Sequence, residues 1–160
     1  MRSTWDETWI NVALVVSRRS PCINRQVGAV LVDHENRIIS VGYNGFPRRM
    51  VAPNSCDAFC PRSSGDRGRE YTNCIAIHAE VNAIINASVH GRGYDTCTLY
   101  VTSMPCIDCA KVIANAQIKR VIVLENPQDD HYNPAPSLLI LNNSAVEVAT
   151  FSPAGGPPKT

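Results

Sequence analysis

His78 and Glu80 stand two residues apart in "IHAEVNAI" (77–84), an otherwise apolar, alanine-rich run. Two ionisable groups buried in such a run cost several kcal/mol unless each finds a partner. A partner set follows downstream in "MPCIDCAK", where Cys106 and Cys109 stand three apart just after Pro105. At the opening of a helix this spacing puts both sulfurs on one face. The helix N-terminus, with its N–H groups and dipole, favours thiolates there. One imidazole and two thiolates make three ligands for tetrahedral zinc and leave the fourth position to water, the pattern of a catalytic rather than a structural site. Zinc of that kind lowers the pKa of water towards about 7. Glu80, within the first turn of a helix that begins with a ligand, is placed to take the water's proton and relay it. An anionic acceptor beside the metal suits that task better than a second imidazole.

The elements that must position these four residues are legible from periodicity. Thr4 and Glu7 can form a capping box, with Trp5, Trp9, Ile10, Ala13 and Val16 on one face of a helix over 4–18. "VGAVLVD" and "RIISVGYNG" read as two strands joined at "HEN", a hairpin. Residues 46–73 hold five arginines and two cysteines among prolines, serines and glycines with no apolar period, a loop long enough to need an organiser or a function. A helix over 78–89 carries Val81, Ile84, Ile85 and Val89 at helical spacing. Then come a strand at 98–103, a helix at 106–116, a strand at 120–125, a short helix at 137–143 and a last strand at 146–151. This order predicts an α/β fold, a three-layer αβα domain with a mixed five-stranded sheet whose final strands are parallel. Ligands in such sheets sit where strand ends meet helix starts, which is where His78 and Cys106 fall. One domain is expected over 1–151, with 152–160 a disordered tail.

Composition narrows the partners. Fifteen basic against 14 acidic residues argue against a polymeric nucleic acid and for a small ligand. No apolar run reaches membrane-spanning length, and "MRSTWDETW" is too polar for a signal peptide, so a cytoplasmic protein with no membrane partner is expected. Seven cysteines then read as metal ligands, catalytic thiols or buried small hydrophobes rather than a disulfide framework. Cys97, beside a strand, reads as a packed thiol.

His-x-Glu alone carries no information and one Cys-x-x-Cys is weak. In this order, both at helix starts, they match the known H-x-E…P-C-x-x-C signature of zinc nucleobase deaminases. Together with "QVGAVLV", "GYNGFP", "IHAEVNAI" and "PCIDCAKVI", they make residues 17–125 resemble the deoxycytidylate (dCMP) deaminase branch of the cytidine deaminase superfamily. The resemblance implies a cytidine-deaminase-like fold, Zn2+ held by His78, Cys106 and Cys109, and Glu80 as proton shuttle. It implies that Asn44 contacts the sugar-phosphate, that Ala79 offers its backbone to the pyrimidine edge, and that the strand around Val27 lines the pocket. The implied reaction converts dCMP and water to dUMP and ammonia, supplying dUMP for thymidylate synthesis. A homo-oligomer, hexameric by resemblance, with dCTP and dTTP as effectors is also implied.

Relatives of this kind often carry a second, structural zinc near the long loop, and Cys22, Cys56, Cys60 and Cys74 are its candidate ligands; a loop without an apolar face needs such a crosslink. Phosphate recognition requires cations, and among Arg25, Arg48, Arg49, Arg62, Arg67 and Arg69 the one beside the pocket strand, Arg25, is the leading candidate. The chain departs from the family at Gln117, where glycine is usual after the third helix, and after the fourth strand, where an aromatic residue has no counterpart unless Tyr132 folds back. Rival readings are a deaminase of a modified dCMP, cytidine, guanine, a pteridine-like ring or tRNA adenosine, and a non-catalytic zinc protein that senses nucleotides. Glu80 speaks against the last, because a glutamate beside an open metal position has no structural duty.

Overall fold

The computed structural model describes residues 2–51, 54–61, 74–91, 93–125 and 133–153. Its elements are α1 (Trp5–Ser17), β1 (Gly28–Val32), β2 (Ile38–Tyr43), a single 3-10 turn (Asp57–Phe59), α2 (Ala79–Ser88), β3 (Thr98–Val101), α3 (Ile107–Asn115), β4 (Arg120–Leu124), α4 (Ala135–Asn143) and β5 (Glu147–Phe151). The Thr4 hydroxyl accepts a hydrogen bond from the Glu7 N–H at 3.2 Å, so the expected cap starts α1. The 3-10 turn gives the long loop some local structure. Arg62, Arg67, Arg69 and Tyr132, like the tail beyond 153, lie outside the described residues.

The five strands form one mixed sheet in the order β2-β1-β3-β4-β5. β1 runs antiparallel to both neighbours, while β3, β4 and β5 run parallel through helical crossovers. Alternation along the strands splits the core in two. Val30, Val32, Tyr100, Ile122, Leu124 and Phe151 face α1 at Trp9, Ile10 and Ala13. Ala29, Leu31, Leu99, Val101, Val121 and Val123 face the opposite layer, meeting Ala83 and Ile84 of α2, Ile113 of α3 and Leu141 of α4. The three layers are those the sequence predicts.

Two helix faces correct the periodicity reading. On α2 the buried residues are Ala79, Glu80, Ala83, Ile84 and Ala87, while Ile85 and Val89 are 51% and 80% exposed. The reason is close approach: a Cβ on Gly42 of β2 would lie 2.2 Å from the Ala79 carbonyl oxygen and 2.4 Å from the Ala83 nitrogen. Only a face of small residues fits against that strand, so the bulky ones turn outward. On α1, Trp5 is half exposed and stacks on Trp9 with ring centroids 5.4 Å apart, and Ser17 takes the fourth buried place after Trp9, Ile10 and Ala13.

After α3 the chain turns through Gln117 at φ 60°. The Ile118 N–H bonds the Ile113 carbonyl and the Gln117 N–H bonds the Ala114 carbonyl, a Schellman arrangement that usually places glycine at this position. A side chain here costs on the order of 1 kcal/mol and leaves the start of α3, where Cys106 and Cys109 sit, untouched. No helix among the described residues is long and apolar enough to cross a membrane.

Candidate metal centre and cleft

His78 is the N-cap of α2 and Cys106 the N-cap of α3, so neither is inside its helix. Both adopt extended backbone that aims the side chain back across the helix start, and Cys109 enters from the first turn of α3. The His78 ring nitrogen Nδ1 lies 3.3 Å from Cys106 Sγ and 3.2 Å from Cys109 Sγ. Zinc at about 2.3 Å from sulfur and about 2.0 Å from nitrogen, in tetrahedral geometry, would set these separations at roughly 3.5 Å. Among the described residues this is the only group of three or more potential ligands whose atoms all lie within 4.8 Å of one another. The donor set and its spacing fit zinc.

Charge among these groups is shared unevenly. Hydrogen bonding from the Cys109 thiol, and then from the His78 ring, brings the Cys106 thiol down to about 4 against the opposing effect of burial. Its bond to Cys106, reinforced by burial, pushes the Cys109 thiol far above its ordinary value. The bond to Cys106 likewise raises the His78 imidazole. Glu80 is 4% exposed, and burial pushes its carboxyl up, with the negative charge of Cys106 adding and the bond from the Cys109 thiol opposing. Glu80 is thus a buried carboxyl two residues beyond one ligand, its ionisation governed by the ligand thiols and imidazole beside it.

The frame around the centre is built from backbone pairings between the end of β2 and the entry to α2. Gly45 and Ile77 exchange N–H···O=C bonds of 3.0 and 2.8 Å, one residue before His78. Asn44, 9% exposed, reaches across to the segment before β1: its Oδ1 accepts from the Val27 N–H at 2.8 Å and its Nδ2 donates to the Arg25 carbonyl at 2.9 Å. The Asn44 carbonyl in turn accepts from the Ser20 hydroxyl at 2.7 Å. A cleft of about 590 Å³ opens along residues 20–26, closed by Asn54 and Ser55 on one side and by Thr102 and Ser103 on the other. Thr102 and Ser103 directly follow β3, so this wall of the cleft stands at the carboxyl end of β3, where ligand sites lie in such sheets; the metal ligands themselves do not line it.

The structure thus brings His78, Glu80, Cys106 and Cys109 together. It places Arg25 in the cleft wall, Val27 and Asn44 in the adjoining frame, and Ala79 fully buried at the first position of α2. The second set of cysteines does not form a comparable ligand group. The Cys56 N–H bonds the Pro21 carbonyl at 3.1 Å and the Asn24 amide bonds Cys60 Sγ at 3.2 Å, so segments 21–24 and 56–60 are held together, while the Arg25 N–H bonds Cys22 Sγ at 3.4 Å within the first of them. Burial, with the nearby Cys22 and Cys60 thiols adding, raises the Cys56 thiol. Cys22, Cys56, Cys60 and Cys74 nevertheless do not gather within the spacing of the first centre. No disulfide joins any of the seven cysteines among the described residues. Cys97 is buried, in keeping with a packed thiol.

The sequence reading missed Asn82, Gly42 and the polar cleft residues Ser20, Thr102 and Ser103. A signal existed for Asn82, which stands four residues beyond His78 and so on the same face of the helix. The cleft residues lie in connections with no periodicity to betray them.

Residues 3–125 match the family described as the cytidine and deoxycytidylate deaminase zinc-binding region. The deoxycytidylate deaminase of Saccharomyces cerevisiae is 34% identical over 95% of this chain and 46% of its own length. That of Homo sapiens is 35% identical over 93% of this chain and 80% of its own. The chain spans less than half the length of the yeast relatives it matches. Among solved structures, the dCMP deaminase of cyanophage S-TIM5 in complex with dCMP and dUMP superposes with a TM-score of 0.73 at 28% identity, covering 94% of this chain and 99% of the phage chain. With the zinc-ligand triangle, the buried glutamate and the sheet order all in place, the chain belongs to the cytidine and deoxycytidylate deaminase family.

Proposed function

We propose that this protein is a zinc-dependent deaminase that hydrolyses dCMP to dUMP and ammonia. The observation that carries the reading is the His78–Cys106–Cys109 triangle with Glu80 buried in the first turn of the helix that His78 opens; a cleft of nucleotide size lies at the end of the neighbouring strand β3. The likeness to the cyanophage enzyme, whose structure holds dCMP and dUMP, supports the choice of substrate. Zinc held by His78, Cys106 and Cys109 supplies Lewis acidity that makes a water molecule nucleophilic near neutral pH. The protein's own residues do the rest. Glu80 takes the proton of the attacking water on a carboxylate oxygen and gives it to the pyrimidine N3 as the C4–O bond forms. It then carries the second proton to the exocyclic amine, so that the C4–N bond breaks with ammonia as leaving group. The Ala79 backbone faces the pyrimidine edge, Val27 and Asn44 hold the sugar side, and Arg25 meets the phosphate.

The reading extends to a structural zinc on Cys22, Cys56, Cys60 and Cys74, for which two hydrogen bonds between 21–24 and 56–60 bring three of the four cysteines into neighbouring segments. It also extends to a homo-oligomer, for which exposed Ile85 on α2 and Val89 just after it offer apolar surface, with dCTP and dTTP as effectors on the family resemblance alone. The deciding experiment is ammonia release by zinc-loaded protein offered dCMP, CMP, deoxycytidine, dCTP and 5-methyl-dCMP in parallel. Selective turnover of dCMP is the expected result. Preference for the 5-methyl nucleotide would move the substrate to a modified cytosine, and no turnover of any of the five would remove the assignment.

A further inference from the structure

α2 is zipped to β2, the edge strand of the sheet, by side chains reaching to backbone. Asn82 Nδ2 donates to the Tyr43 carbonyl at 2.8 Å, Asn86 Nδ2 donates to the Val41 carbonyl at 2.8 Å, and the Ser40 hydroxyl donates to the Ala83 carbonyl at 2.7 Å. The two asparagines, one helical turn apart, cap two outward carbonyls of the strand, two residues apart. Their surroundings differ. Both are half-buried, but the Asn86 Oδ1 accepts from the Arg48 guanidinium at 2.5 Å, one turn further along the helix from its metal-ligand end. Asn82 is bonded through its own N–H to the His78 carbonyl at 3.0 Å, and its Nδ2 also approaches the Ile77 carbonyl at 3.5 Å. Tyr43, its main partner, is covalently joined to Asn44, whose amide holds Val27 and Arg25.

We infer that Asn82 is a positioning residue, setting the spacing between the metal-ligand end of α2 and the Asn44 segment that faces the nucleotide. The inference rests on the deaminase reading for its catalytic consequence and on geometry alone for its structural one. Beside the Gly45–Ile77 backbone pair, Asn82 is the side chain that joins the two walls: its backbone N–H holds the His78 carbonyl, and its side-chain amide holds the carbonyl of the residue preceding Asn44. Losing the donor frees the Tyr43 carbonyl to drift from α2, which shifts Asn44 relative to the metal ligands without removing any ligand. A misplacement of about 1 Å costs on the order of a hundredfold in rate when it moves a reacting group.

The test compares N82A, N82D and N86A with wild type, all zinc-loaded. N82D keeps the size of the side chain but cannot donate to Tyr43, so it decides the question if N82A fails to fold. Three quantities are measured: zinc per chain, hydrogen exchange of the Val27 N–H that Asn44 holds, and steady-state kinetics on dCMP. The Asn82 variants are expected to retain zinc, to exchange Val27 at least about tenfold faster, and to lose roughly tenfold to a hundredfold in kcat/KM. N86A, which removes an equivalent cap one turn away, is expected to stay within about twofold of wild type on both counts. Unchanged Val27 exchange in the Asn82 variants, an equal change in N86A, or unchanged kcat/KM would overturn the inference. Wild type that leaves dCMP untouched would sink the deaminase reading instead, and Val27 exchange would still decide the role of Asn82.

Discussion

Glu80 has no structural reason to be where it is. Its neighbours on the buried face of α2 are three alanines and Ile84, and an apolar residue there would avoid the cost of burying a carboxyl. Replacing it by glutamine keeps the shape and removes the proton carrier. Glu80→Gln is therefore expected to bind zinc as wild type does and to lose about 10²–10⁴ in turnover, checked by metal analysis alongside ammonia release. Arg25 is a different kind of residue, placed in the cleft wall rather than against the metal ligands. Its contribution should be felt in binding, since a charge-assisted hydrogen bond to phosphate is worth about 1.5–3 kcal/mol. Arg25→Ala is expected to raise KM for dCMP by about tenfold or more with a much smaller fall in kcat; a loss confined to kcat would place the arginine in another role. His78, Glu80, Cys106 and Cys109 were all legible in the sequence because metal ligation and proton transfer admit few residue types. Asn82 was not, because an asparagine on a helix carries no mark of the strand carbonyl it will meet.

Among the elements, the β1–β2 connection shows how local chemistry sets register. Asp33 Oδ1 accepts from the Glu35 and Arg37 N–H groups at 2.9 Å each, its Oδ2 pairs with Arg37 Nε at 2.9 Å, and Asn36 completes the turn at φ 60°. Burial opposes ionisation of Asp33, but the N–H donors and the Arg37 guanidinium outweigh it and hold its carboxyl below the usual value. A carboxyl depressed in the folded state adds stability that is fully present above the unfolded pKa of about 4 and is lost as pH falls through the lower folded value. The stability difference between wild type and Asp33→Asn, followed by urea midpoints from pH 6 to pH 2, is therefore expected to shrink as the pH drops below about 4. Strand and helix positions were readable because period 2 and period 3.6 are local properties. Which face of α2 is buried was not, because alanines rather than isoleucines meet the sheet where Gly42 lets the backbones touch.

At the scale of the whole molecule, the metal centre ties two crossovers together: His78 opens α2, Cys106 opens α3, and both helices pack on one face of the sheet. Metal bound to the folded chain alone stabilises it by mass action, by about 4 kcal/mol at a thousandfold excess over Kd. Removing zinc with a chelator is therefore expected to lower Tm by more than about 5 °C, read by calorimetry, and restoring zinc to recover it. Glu80→Gln should show the same metal-dependent shift, which separates folding from chemistry. The sequence by itself determined the ligand types, their placement at helix starts and the order of strands and helices, because capping, periodicity and ligand chemistry act over a few residues. Only the tertiary structure decided that the His78 imidazole comes within 3.3 Å of two thiols from another helix, that Asn44 bonds the segment before β1, and that a cleft opens along that segment. Those are distances between segments remote in the chain, set by the packing of helices on a twisted sheet, and no local pattern of residues encodes them.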